Sequence, residues 1–131
     1  MIGLLIVTHC DLGKEFLNAA EFIVGSVHSA DVISITQTSD SEKVRKDIEQ
    51  KISALNTGEG VIILTDMFGG TPSNISLSFL KEEMVEVITG VNLPMVLAII
   101  QNRNGIKLEA LAKKAQDAAK TGISLAGNLL K

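Results

Sequence analysis

The chain has no tryptophan and no tyrosine, and its four phenylalanines, Phe16, Phe22, Phe68 and Phe79, lie far apart. The stacking platforms that hold single-stranded nucleic acid are therefore missing. Neither sign of charge dominates: 12 Lys and Arg face 15 Asp and Glu, for a net charge of −3. Without a basic stripe, nucleic acid is excluded as the main partner. With one cysteine, Cys10, no disulfide can close within the chain, and an intracellular setting is expected. The apolar start, Met1 to Val7, lacks a basic region and stops too soon for a signal peptide. The apolar stretch Leu93 to Ile100 is far too short to span a bilayer. Together these absences predict a cytoplasmic protein.

Several familiar sites are absent too. One cysteine and two histidines do not supply zinc-ligand spacing, so no metal is expected. No G-x-x-x-x-G-K-S/T loop and no G-x-G-x-x-G fingerprint is present, so no nucleotide cofactor is expected. A serine hydrolase would need a G-x-S-x-G elbow, which is missing. Asp11 and Asp66 offer part of the acidic cluster of a receiver domain, but His9 does not fit that pattern.

What remains is an apolar-rich chain, 46% of 131 residues, expected to form one domain over residues 1–131 with a sizeable core. Ile2 to Val7 is a continuous apolar run, as in a strand covered on both faces. Leu12, Phe16, Ala20, Ile23, Val24 and Val27 recur at helical spacing, with Gly25 near the end. Asp31 to Thr36 reads as a second strand. Ser39-Asp40-Ser41-Glu42 is a capping-box pattern before the helical face Val44, Ile48, Ile52 and Leu55. Val61 to Thr65 is a third strand. Thr71-Pro72 reads as a helix N-cap with proline at the first helical position, before Ile75, Leu77, Phe79 and Leu80. Met84 to Thr89 is a fourth strand. Asn92 and Pro94 open an apolar helix, and Leu108 to Ala119 is amphipathic. The tail from Ile123 to Gly127 either extends that helix or forms a short strand. The pattern predicts an α/β fold: a small doubly wound, mainly parallel sheet of four strands with helices on both faces.

Two segments carry chemistry, and both follow apolar strands. Val7-Thr8-His9-Cys10 ends the first strand, and Thr65-Asp66-Met67-Phe68-Gly69-Gly70-Thr71-Pro72 follows the third. Residues past the carboxyl ends of parallel strands share one edge and meet in a crevice. An imidazole neutral near physiological pH offers a nitrogen lone pair for attack. A carboxylate at Asp66 would fix the His9 tautomer, cap the following turn, or both. Gly69 and Gly70 let backbone approach an anion at the start of a helix. Thr71 would cap that helix, donate to a phosphoryl oxygen, or both. His28 is read as a surface residue and Cys10 as a small filler. This collection suits a phosphoryl group carried on histidine.

At these residues the chain resembles the mannose-type IIA domain of the bacterial sugar phosphotransferase system (PTS). The resemblance rests on T-H-x-x-x-G at Thr8 to Gly13 and on Ala20-Glu21 followed by Gly25. It rests further on D-x-x-G-G-S/T-P-x-N at Asp66 to Asn74 and G-V-N-L/I-P-M at Gly90 to Met95. It implies a phosphotransferase component that accepts a phosphoryl group from phospho-HPr on His9 and passes it to a mannose-type IIB protein. Sugar uptake then proceeds through the membrane IIC and IID partners. It also implies that Asp66 orients the imidazole, and that Thr71 and nearby backbone amides hold the phosphoryl group. The family is further expected to form a homodimer in which a short antiparallel C-terminal strand is exchanged. No IIB segment follows, so a separate IIB protein is expected. One departure stands out: many members carry glycine after the histidine, where this chain has Cys10. The same features suit a regulatory module that reports phosphotransferase flux without transporting sugar.

Overall fold

The computed structural model describes residues 1–130. Its elements alternate in chain order. They are β1 (Gly3–His9), α1 (Leu12–Val24), β2 (Ala30–Ile35), α2 (Ser41–Leu55) and β3 (Val61–Thr65). There follow α3 (Thr71–Leu77), β4 (Val85–Thr89), α4 (Leu93–Asn102), α5 (Leu108–Thr121) and a one-turn α6 (Ala126–Leu129). The strands form one all-parallel sheet in the order β2-β1-β3-β4. The α/β architecture is the expected one, and its strand order could not be read from local pattern.

Alternation along the strands divides the core between the two faces. Leu4 and Ile6 of β1, with Ile62 and Leu64 of β3, pack with Ala20, Met95, Ile99, Leu111 and Ala115 from α1, α4 and α5. Leu5 and Val7, with Val61 and Ile63, pack with Val44, Ile48 and Ile75 from α2 and α3. Burying each branched side chain contributes about 1.5–3 kcal/mol relative to exposure. The two central strands are buried on both sides, which explains their unbroken apolar runs.

Several helix starts and ends differ from the sequence expectation. The cap of α2 is Asp40, whose carboxylate accepts from Glu42 N–H at 3.1 Å. Ser39 is not in a capping box; its hydroxyl accepts from Thr36 N–H at 2.9 Å. Residue 70, not 71, is the N-cap of α3, so Thr71 is its first helical residue. The same helix stops at Leu77, short of Phe79 and Leu80, because the N–H groups of Ser78, Phe79 and Leu80 turn back to carbonyls three residues earlier. Ile23 and Val24 end α1 but are exposed rather than in the core, and Val27 lies beyond the helix. The tail is neither a continuation of α5 nor a strand: Gly122 caps α5 and the apolar tail turns into α6.

Arg103 closes the other end of the sheet. It is 3% exposed, and its guanidinium donates to the carbonyls of His28, Ser29 and Ile2. Burial lowers its pKa, and the carbonyls compensate for lost water. These bonds tie the end of α4 to the starts of β1 and β2.

Candidate active site

In the order β2-β1-β3-β4 the chain winds outward from β1 in one direction, then returns to its other side with β3. The carboxyl ends of β1 and β3 therefore flank the switch point where open α/β sheets hold ligands. His9 is the last residue of β1, and Asp66 follows the last residue of β3. The two side chains meet there: His9 Nδ1 lies 2.8 Å from Asp66 Oδ2. The same oxygen accepts the His9 backbone N–H at 2.9 Å, and Oδ1 accepts Met67 N–H at 3.1 Å. Burial alone would raise the Asp66 pKa. The bonds from the His9 backbone and ring, and the attraction to that ring, outweigh it and hold the carboxyl below its ordinary 3.8. An ionised carboxylate only accepts, so Nδ1 carries the proton facing it. In neutral imidazole the lone pair then sits on Nε2. The His9 side chain is 45% exposed, against 12% for Asp66.

The turn from Asp66 to α3 completes the surroundings. Gly69 has φ +88°, a left-handed conformation that suits glycine. Gly70 is extended, at φ −87° and ψ 169°, and lies against the imidazole edge. Thr71 is exposed at the start of α3, so its hydroxyl is not the helix cap that the Thr-Pro pair suggests. Met67 and Phe68 are exposed beside the turn, at 55% and 73%.

Thr8 has a role that its sequence position hides. Its buried Oγ1 accepts Gly13 N–H at 2.9 Å and donates to Cys10 O at 3.3 Å. A Cβ on Gly13 would lie 3.1 Å from Ile6 Cγ2, so α1 approaches β1 closely there. The Thr-His-x-x-x-Gly spacing is thus the clamp of a tight strand-to-helix turn. A buried threonine five residues before a glycine is the signal that could have revealed it. Cys10, inside this turn, has φ +50° and is exposed. Asn92, in the other quoted motif, belongs to a structural joint. Its side chain caps α4 by accepting Met95 N–H at 3.0 Å and donates to Ala119 O at 3.0 Å.

His28 is exposed and precedes β2, at the amino edge of the sheet, away from His9. Among the described residues, no cluster of three or more His, Cys, Asp or Glu could hold a metal ion. None of the described helices is long and apolar enough to cross a membrane. A surface cleft of about 740 Å³ lies elsewhere, between the start of β4 and that of α5.

The family model described as PTS system fructose IIA component matches residues 3–116. The chain belongs to the mannose-type EIIA family. The sorbose-specific EIIA component of Lacticaseibacillus casei is 32% identical over 111 residues, covering 82% of this chain and 78% of that protein. The mannose-specific EIIAB component of Escherichia coli K12 is 30% identical over 104 residues, covering 79% of this chain. This chain spans only 32% of the EIIAB protein's length. The crystal structure of phosphotransferase system component EIIA from Streptococcus agalactiae superposes with a TM-score of 0.89. It is 24% identical, with 98% of this chain and 99% of that chain covered, and it supports the fold. This EIIA is accordingly a PTS component of the mannose and sorbose type, and the motifs at 8–13 and 66–74 lie within the matched residues.

Proposed function

We propose that this EIIA carries a phosphoryl group on His9, taken from phospho-HPr and passed to a mannose-type IIB protein for sugar uptake. The observation that carries the reading is the 2.8 Å contact between Nδ1 and an ionised Asp66, which leaves Nε2 as the nucleophile. Nε2 attacks phosphorus in line as the bond from phosphorus to the donor breaks, and its electron pair leaves with the donor. Nδ1 keeps its proton, and Asp66 balances the positive charge of the phosphorylated ring. Backbone of the Gly69-Gly70 turn and the Thr71 hydroxyl hold the phosphoryl oxygens. Positioning and electrostatics supply the catalysis, with no metal or organic cofactor. A half-exposed ring suits exchange between protein surfaces, with Met67 and Phe68 as apolar contacts beside it.

The protein acts in the cytoplasm as a homodimer whose tail crosses to the neighbour. Ile123, Leu125, Leu129 and Leu130 are 70–86% exposed in a single chain, which supports burial against a partner.

Incubation with phospho-HPr followed by intact-mass measurement tests the carrier role. One acid-labile phosphoryl group is expected, lost in His9→Ala and retained in His28→Ala. Labelling that survives His9→Ala would refute it. A chase with IIB then separates uptake from regulation: transfer supports uptake, whereas no acceptor and a phosphorylation-dependent binding partner favour the regulatory module.

A further inference from the structure

We infer that Gly70 is a positioning residue whose missing side chain provides the clearance that keeps the His9 imidazole on Asp66. A Cβ built on Gly70 would lie 2.8 Å from His9 Cε1 and 3.2 Å from Nε2. The first distance is closer than real Cβ atoms come, so the ring or the turn would have to move. The ring is not free to move cheaply. Its Nδ1 is held 2.8 Å from Asp66 Oδ2, and the backbone N–H of the same residue is held 2.9 Å from that oxygen. The backbone of Gly70 does not itself require glycine, since φ −87° and ψ 169° are open to any residue. Gly69 is the reverse case: its φ of +88° favours glycine, while a Cβ there would meet nothing within 4 Å. The two adjacent glycines are thus kept for different reasons, one for backbone conformation and one for room beside the reacting edge of the imidazole.

This inference refines the proposed carrier role, but its first two readouts need no phosphoryl donor. In Gly70→Ala the backbone N–H is retained, so anything that amide does for a phosphoryl group is retained as well. Nitrogen-15 NMR of the unphosphorylated variant should show His9 losing the single Nδ1–H tautomer expected of the parent. The melting temperature should fall in Gly70→Ala and recover when the ring is also removed, in the Gly70→Ala/His9→Ala double variant compared with His9→Ala alone. Single-turnover labelling by phospho-HPr should slow by roughly 10- to 100-fold, as expected for a nucleophile displaced by up to about 1 Å. Parent-like ring signals with a parent-like rate would overturn the inference. So would an equal loss of melting temperature with and without the imidazole. If Gly70→Ala does not fold, a folded double variant upholds the inference and an unfolded one overturns it. Failure of the parent protein to take label at His9 would refute the carrier role alone, because the tautomer and the melting cycle report on the clearance directly.

Discussion

At the scale of single residues, Asp66 concentrates the most consequence. It accepts from the His9 ring, the His9 backbone and Met67 N–H. Asp66→Asn keeps the shape but removes the charge that fixes the tautomer, and single-turnover labelling should slow by about tenfold or more. The depressed Asp66 pKa also has a stability consequence. Its contribution is fully present above the unfolded value of 3.8 and is lost as the pH falls through the lower folded value. Denaturant melts across that acid range should therefore fall less steeply with acidification in Asp66→Asn than in the parent. Cys10 is the opposite kind of residue, one that carries strain. At φ +50° a cysteine adopts a conformation that costs about 1 kcal/mol more than it does for glycine. Cys10→Gly should raise stability by about 0.5–1 kcal/mol, read as a higher melting temperature. A lower one would show that the turn draws more from the side chain than it loses to strain. The pairing of His9 with Asp66 was legible in sequence because both follow apolar strands. The strain at Cys10 was not, because φ is set by the turn that Thr8 and Gly13 clamp.

At the scale of elements, α3 shows where local pattern misleads. Thr71-Pro72 has the composition of a cap and first turn, yet the chain enters the helix one residue earlier, at Gly70. That shift takes capping away from the Thr71 hydroxyl, so Thr71→Val should change stability by less than about 0.5 kcal/mol. If the hydroxyl serves the phosphoryl group, the same variant should slow labelling at matched stability. A loss of stability near 1 kcal/mol with an unchanged rate would return Thr71 to a capping role. Apolar runs, helical periodicity and cap residues together located all four strands and the five longer helices. Periodicity overran the ends of α1 and α3, where Val27, Phe79 and Leu80 continue the spacing but the backbone has already turned. Arg103 left no trace in periodicity, since its partners are carbonyls 74–101 residues earlier in the chain.

At the scale of the whole molecule, the order β2-β1-β3-β4 brings residues 57 positions apart onto one hydrogen bond. Local sequence pattern does not encode that order, because strand pairing is long-range. The apolar tail is the other global feature. Removing residues from Gly122 onward should yield monomer or insoluble protein. A truncated chain that stays dimeric by light scattering, with an unchanged melting temperature, would show that the tail is not the joint. In the proposed carrier role, His9 Nε2 receives the phosphoryl group because Asp66 occupies Nδ1. Phosphorus-31 and nitrogen-15 NMR of the protein phosphorylated by phospho-HPr tests it most directly. One phosphorus coupled to Nε2 of His9, with Nδ1 still protonated, is the expected result. Phosphorus on Nδ1, or on any residue other than His9, would contradict it.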